Sequence, residues 1–428
     1  MTAEPTIESV IEPMIETVAC PAGRDWSTSF DHHDAYLSRN PYPVYDQLRN
    51  QCPVTRTDAW GGFWVVTGHA EVDSVAKNDK DYSSGVLLDD GTIQGVTIPS
   101  VGQTRPVIPI ELDPPENLKY RKLLNPFYTV QAVRRREDGI RSLVTELIDG
   151  FIEAGECDLV HALTLATPAI VTLREVGLPA ERWQEFVTWI DTMIHDSGRD
   201  PEAAMQAGMA VAGEYMKAIQ DRRENGLRDD VISTLMSSEI DGVPVTDEQI
   251  VDVGILLLFG GLDTTSAASA TTFLHLAQNP EIRERVIADK ERSPQIVEEY
   301  LRWVSPVQAN SRTVTHDVEL GGVPLHKGER LLALWAAANH DPAHAPEPHT
   351  VSFERGSNPH MAFGVGSHRC LGAHLARTMF RVMLEEVLER LPDYRVADGK
   401  EVEWFDNISS VYGVRSLPIV FTPGERRT

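Results

Sequence analysis

The sequence predicts a mainly α-helical domain with a minor β part, and three observations predict it. Apolar residues recur at three- and four-residue spacing through much of 117–304 and again after residue 370. Alternating runs set off by glycine are short and few: one near residue 63, several between 312 and 334, and some in the C-terminal tail. No internal repeat and no low-complexity linker divides the 428 residues. One domain over 26–428, behind a flexible lead-in at 1–25, accounts for the pattern.

Taken in order, the lead-in "MTAEPTIESVIEPMIET" is acidic and broken by prolines, without a signal peptide's basic start and apolar core. "NPYPVYDQLRNQCPV" reads as a proline-started helix with Val44, Tyr45 and Leu48 on one face. "GGFWVVTG" reads as a strand. From Ser83 to Pro109 there is no helical period, and loops of that length are often lids or binding elements. "RSLVTELIDGFIEAG", "ERWQEFVTWIDTMIHD" and "EAAMQAGMAVAGEYMKAIQDRREN" are amphipathic helices. "DGVPVTDEQ" is a turn with a Thr246 cap, opening one long buried helix over about 247–279. "PQIVEEYLRWVSP" is a helix closed by proline, and "RTVTHDVELGGVPLHKGERLLALWAAANHD" alternates like a strand meander. A cysteine loop, a helix to about Arg390 and a strand-and-turn tail complete the chain.

Composition narrows the function. Asp and Glu number 64 against 39 Lys and Arg, a net charge of −25, which disfavours nucleic acid and anionic membrane as partners. The most apolar run, "VGILLLFGGL", is ten residues between Asp252 and Asp263, whereas a membrane span needs about 20. The four cysteines, Cys20, Cys52, Cys157 and Cys370, are scattered without C-x-x-C spacing, which suits a reducing, cytoplasmic setting.

Chemistry concentrates in "HMAFGVGSHRCLGAHLAR". Cys370 stands just ahead of a helix whose Leu371, Leu375, Met379, Val382 and Val387 suit a packed face. A helix N-terminus favours a thiolate. Gly364, Gly366 and Gly372 keep side chains away from whatever approaches the sulfur. A quiet buried cysteine in a glycine turn fits the segment alone as well, and a zinc cluster of His368, Cys370 and His374 is a lesser rival, with no fourth ligand at a usual spacing. About a hundred residues earlier, "FGGLDTTSAAS" sets Leu256, Gly260 and Thr264 four apart on one helix face, with Asp263 and Thr264 bringing an acid and a hydroxyl together.

Together these strings resemble the cytochrome P450 family. The family's heme-loop pattern F-x-x-G-x-H/R-x-C-x-G is met by Phe363, Gly366, His368, Cys370 and Gly372, and the oxygen-helix pattern A/G-G-x-D/E-T-T/S by "GGLDTT". The resemblance implies a heme-thiolate fold, with Cys370 the thiolate ligand to the iron of heme b and Phe363, Gly364, Gly366 and Gly372 around it. It implies that Asp263 and Thr264 deliver protons during dioxygen activation, and that Gly260 and Gly261 leave room for dioxygen and water. "EYLR" resembles the E-x-x-R motif. Glu299 and Arg302, completed by Arg355, are then a structural cluster that holds the cysteine loop. "DPPENLKYRKLLNPF" gives Arg121 as a heme-propionate partner, with Asn117 where histidine is usual; Arg312 and His368 are the other propionate candidates. "ANHDP" departs from the family at His340, where arginine is usual. The matches run from "NPYPVYDQLR" to "GVRSLPIVF".

By this resemblance the chain is a monooxygenase that inserts one oxygen atom from O2 into a C–H bond. Electrons come from a separate ferredoxin and ferredoxin reductase, and the protein is expected to be a cytoplasmic monomer. The acid-free stretch 117–136, with Lys119, Arg121, Lys122, Arg134, Arg135 and Arg136, is the expected ferredoxin site together with Arg369. Val86, Leu87, Ile98, Leu256, Phe259 and Val411 are candidate pocket walls, with Gln308 and Asn310 as polar orienters. Likeness to camphor- and terpene-hydroxylating members favours a compact hydrophobic substrate such as a terpenoid; the alternative is a steroid, fatty-acid or aromatic substrate. Readings of other classes are a non-catalytic heme sensor, which gives no reason for Asp263–Thr264, and a zinc hydrolase.

Overall fold

The computed structural model describes residues 24–100, 102–195 and 198–427. The expected lead-in lies outside these except for residues 24 and 25, and those two are anchored. Asp25 caps the Trp26–Ser29 helix by accepting from Ser27 N at 2.9 Å, and Arg24 lies 3.8 Å over the Trp26 ring.

The β part is small. Five strands run in the order Val54–Thr57, Phe63–Val66, Arg330–Leu334, Ala309–Val314 and Tyr82–Ser83. All neighbours are antiparallel except Phe63–Val66 beside Arg330–Leu334. The meander expected after Arg312 is present, but its end is not a strand. Trp335–Asn339 is a short helix, because Ala336, Ala337 and Ala338 are strong helix formers and are fully buried there.

Helices build the rest. Ala373–Arg390 packs against Val130–Asp149, Asp263–Gln278 and Ser293–Val304. Above them Trp183–His195 and Pro201–Asn225 pair with each other and cross Asp247–Gly261. The loop 83–109 holds one short pair, Val86–Leu87 with Ile93–Gln94. The Glu111 carboxylate fastens this loop, accepting from Val96 N at 3.0 Å and Val107 N at 2.8 Å. Burial raises the Glu111 carboxyl even so.

The helix expected over 247–279 is two helices, Asp247–Gly261 and Asp263–Gln278, meeting at Leu262. Its start is the expected one: Thr246 and Gln249 form a capping box, Gln249 Oε1 accepting from Thr246 N at 2.9 Å. The break has a local cause. Thr264 Oγ1 donates back to the Gly260 carbonyl at 2.9 Å, a bond that bends helices, beside two adjacent glycines. Among the described residues, 247–278 is the single helical run long and apolar enough to cross a membrane. Its most apolar window is 56% buried inside the protein, as an interior helix would be.

Candidate active site

The cysteine loop is shaped by backbone. Gly364 turns at φ +63, its N–H donating to Met361 O at 2.8 Å, and Cys370 N donates to Phe363 O at 2.8 Å, closing the loop on itself. Cys370 is thereby presented at an exposed position just ahead of the Ala373–Arg390 helix. Protein crowded about the sulfur pushes the thiol up. The Gly372 N–H, then Arg121, Arg377 and Arg369, pull it the other way. A side chain at Gly364 or Gly372 would meet nothing within 4 Å, so both border open space. Gly366 is different: its Cβ would come within 2.3 Å of the Ala76 carbonyl. That glycine makes room for the end of the His69–Lys77 helix rather than for a cofactor, which corrects the expectation. Among the described residues no three His, Cys, Asp or Glu side chains are placed to hold a metal ion, so His368, Cys370 and His374 do not form the alternative zinc site.

Cations gather beside the loop. Arg312 is buried, its guanidinium donating to Ser311 O at 2.8 Å and making no ion pair within 4 Å among the described residues. Burial pulls it down to about 10, against the longer-range pull of Asp79 and Asp113. Arg121 donates to Arg369 O at 2.7 Å, tying this helix to the cysteine loop. His368 lies between them, 3.1 Å from Ser84 Oγ, and burial together with Arg312 and Arg121 pulls it down to about 3. A buried guanidinium without a partner is costly unless an anion arrives. The pair of arginines with His368 therefore fits a carboxylate-bearing group such as a heme's propionates. Asn117 is fully buried with its Nδ2 3.5 Å from His368 Nε2, and its Oδ1 has no donor.

The broken helix carries a second open surface. Leu256 and Thr264 are half-buried and Gly260 exposed, while Val253, Leu258, Leu262 and Ala267 around them are buried. This row is an open face on an interior helix, and a Cβ at Gly260 would meet nothing within 4 Å. Gly261 does not share that role. Its Cβ would strike Thr172 Oγ1 at 2.6 Å and Cγ2 at 2.8 Å, so it serves helix packing and not dioxygen, contrary to expectation. Asp263 and Thr264 are adjacent but turn apart. The hydroxyl bonds Gly260 O, while Asp263 Oδ2 faces His195 Nε2 at 3.9 Å, a neighbour the sequence reading missed.

Glu299, Arg302 and Arg355 come together as expected. Arg302 Nε and Nη2 donate to Glu299 at 2.9 and 2.8 Å, and Arg355 Nε at 3.0 Å. Arg302 also bonds Asn339 O and Pro348 O, so the cluster pins the segment leading into the cysteine loop. A second clamp was missed although Glu298 stands next to Glu299. Its carboxylate takes Arg377 Nη2 at 2.9 Å and His360 Nε2 at 3.1 Å, and Arg377 lies 4.4 Å over the Phe363 ring.

The pocket candidates divide. Val86 and Phe259 are half-buried, and Val411 is buried with Ala267 and Phe405 near the open face. Leu87 is 67% exposed, on the short hairpin. Ile98 belongs to a different core, with Trp26, Phe30 and Phe63, so it walls no pocket beside the helix. Gln308 is spent as well: it donates to Ser305 O at 2.6 Å and accepts from Tyr45 OH at 2.8 Å. Asn310 Oδ1 accepts from Trp335 Nε1 at 3.0 Å. Burial and local partners, invisible in a pattern of residue types, take Ile98 and Gln308 out of the site and engage Asn310 by its oxygen.

Comparison with known proteins agrees with this geometry. Residues 173–392 match the family model described as Cytochrome P450. A steroid C26-monooxygenase of Mycobacterium tuberculosis is 33% identical over 395 residues, covering 91% of this chain and 95% of its own. A steroid C26-monooxygenase of Mycolicibacterium smegmatis is 36% identical over 334 residues, covering 76% and 83%. The crystal structure of CYP109E1 from Bacillus megaterium in complex with testosterone superposes with a TM-score of 0.81 at 30% identity, over 91% of this chain and 99% of that one. P450 enzymes bind heme through a cysteine thiolate and act with O2 and redox partners on hydrophobic substrates. With a thiol loop beside the buried Arg312 and an open glycine face on a broken interior helix, the chain belongs to the cytochrome P450 family as a monooxygenase.

Proposed function

We propose that this P450 hydroxylates a steroid or a similarly rigid, extended hydrophobic molecule, with Cys370 as the axial thiolate. The observation that carries the reading is the open face Leu256–Gly260–Thr264 on an otherwise buried helix. Leu256 gives that face an apolar end for substrate and Thr264 a hydroxyl end for protons. The named relatives favour the steroid alternative over the terpenoid expectation, since two are steroid C26-monooxygenases and one structure holds testosterone.

When bound, the heme supplies the dioxygen activation that puts one oxygen atom into a C–H bond. The chain's own residues hold and serve it. Arg121, Arg312 and His368 would take the propionates, and Gly364 and Gly372 border the space beside Cys370. Thr264 must release the Gly260 carbonyl to turn its hydroxyl proton into the site, and Asp263 then restores that proton.

For electron delivery, within 117–136 and the cysteine loop the exposed cations without an ion pair among the described residues are Lys122, Arg134, Arg135 and Arg369; Lys119 is engaged by Glu116 and Asp241, and Arg136 by Glu175. An acidic ferredoxin suits this patch in a chain of net charge −25. The same reading places the protein in the cytoplasm as a monomer.

The reading is tested by titrating the ferric holoenzyme with testosterone, a long-chain fatty acid and camphor, following the substrate-induced spin-state shift. Steroid should give the tightest shift; a shift with camphor alone would refute the substrate class. Thr264→Ala should keep the shift yet divert most electrons to hydrogen peroxide. Full coupling to product in that variant would refute the proton role.

A further inference from the structure

The partner of Asp263 is a histidine that nothing in the motif predicts. His195 ends the Trp183–His195 helix, and its Nε2 lies 3.9 Å from Asp263 Oδ2 and 4.0 Å from Asp191 Oδ1. Nε2 and Asp263 Oδ2 are both sealed from solvent, and neither has a hydrogen-bond partner. Buried polar atoms are nearly always satisfied, so two orphans facing each other call for an explanation. Phe405 backs the imidazole, stacked at 5.1 Å and 30°, and itself packs with Ala267 and Val411. On the outward side Asp191 Oδ2 accepts from Arg415 at 2.8 Å, and the Arg415 side chain is 41% exposed. Among the described residues, no other carboxylate comes within 4 Å of a His195 ring nitrogen.

One ring nitrogen therefore stands between an inward and an outward carboxylate, bonded to neither. A shift of about 1 Å toward either one brings it to hydrogen-bond length. Held flat by Phe405 at the end of a helix, the ring has just this movement available.

We propose that His195 supplies protons to Asp263, taking them up on the Asp191 side. In the inward step the Nε2–H bond of the protonated imidazole breaks and an O–H bond forms at Asp263 Oδ2, leaving the ring neutral. In the outward step a solvent proton first taken up on Asp191 Oδ1 passes to Nε2, the Asp191 O–H bond breaking as the Nε2–H bond reforms and the carboxylate returns. His195 touches neither substrate nor cofactor; it acts through Asp263, so the proposal rests on the reading of Asp263–Thr264 as the proton path.

The test uses the holoenzyme with its electron donors and a steroid that gives the spin-state shift. His195→Phe keeps the stack on Phe405 and removes the nitrogen. It should leave the spin-state shift in place, lower coupling to product about fivefold or more, and enlarge the solvent deuterium isotope effect on turnover. Asp191→Asn should move both readouts in the same direction by less. Independently of turnover, the His195 ring resonances of 15N-histidine-labelled, reduced, CO-bound enzyme should move on Asp263→Asn. If Asp263→Asn uncouples turnover but His195→Phe does not, His195 is dismissed and the relay stands. If Asp263→Asn itself changes neither coupling nor isotope effect, the relay falls and this proposal falls with it. Should His195→Phe fail to take up heme, Asp191→Asn and the 15N resonances decide: unchanged values in both overturn the proposal.

Discussion

Two adjacent glycines with opposite surroundings allow a paired experiment. In Gly261→Ala the new methyl would sit 2.6 Å from Thr172 Oγ1, 2.8 Å from Cγ2 and 3.3 Å from Cβ. Thr172 is β-branched, stiff and buried on a packed helix, so it has little room to yield. Overpacking of this kind costs about 1–3 kcal/mol. In Gly260→Ala the methyl meets nothing within 4 Å. Both changes share the same helix-propensity gain, up to about 1 kcal/mol. The difference between the two variants thus isolates the clash, and Gly261→Ala should be the less stable by about 1–3 kcal/mol. Calorimetric melting of the two holoenzymes reads this as a gap of a few degrees. The substrate-induced spin-state shift should respond in the reverse sense, weakened in Gly260→Ala and kept in Gly261→Ala. Equal melting temperatures, or a weaker spin shift in Gly261→Ala, would refute the division of roles.

Arg302→Met leaves Glu299 buried without its bidentate partner, a loss of about 3–5 kcal/mol; Arg355 and Asn358 hold it toward the lower end. Soluble yield and the reduced-CO spectrum should show protein largely without thiolate-ligated heme. Burial alone would raise the Glu298 carboxyl, but His360 and Arg377 outweigh it and hold it at about 2. Because the folded value lies below the ordinary one, the stabilisation is complete above roughly pH 4.5 and lost as pH falls toward 2. Glu298→Gln should cost about 1–2 kcal/mol near neutrality, discounted because the carboxylate is 31% exposed. The gap to wild type, measured by denaturant melts, should close in acid. Charge reversal at Lys122 and Arg135 should slow reduction by ferredoxin and flatten its salt dependence in stopped-flow measurements, with heme spectra unchanged.

What was legible in the sequence was whatever depends on neighbours along the chain. The Thr246 cap, the Cys370 loop and the Glu299–Arg302 spacing are local arrangements, and short strings carry them. Glycines show the limit: Gly260, Gly261 and Gly366 are one residue type, but only the fold says that Thr172 lies against the second and Ala76 against the third. Ile98 and Gln308 likewise looked available until packing committed them to another core. His195 was invisible for the same reason. Nothing at the end of an amphipathic helix announces the carboxylate it will meet.

The division at Leu262 separates two kinds of tolerance to mutation. The second half of the helix is locked by Ser269 and Thr272 hydroxyls on its own backbone and by His275 against Tyr300 at 2.7 Å. The first half answers to other elements: its cap residue Gln249 donates to Tyr120 OH at 2.7 Å, and a Cβ at Gly254 would strike the Tyr215 ring. Leu256 therefore lies on a segment with its own anchorage, where a change of side chain is absorbed without disturbing the turn at Asp263–Thr264. Such a joint would let the apolar end of the open face be re-cut by substitution while the turn at Asp263–Thr264 keeps its own bonds.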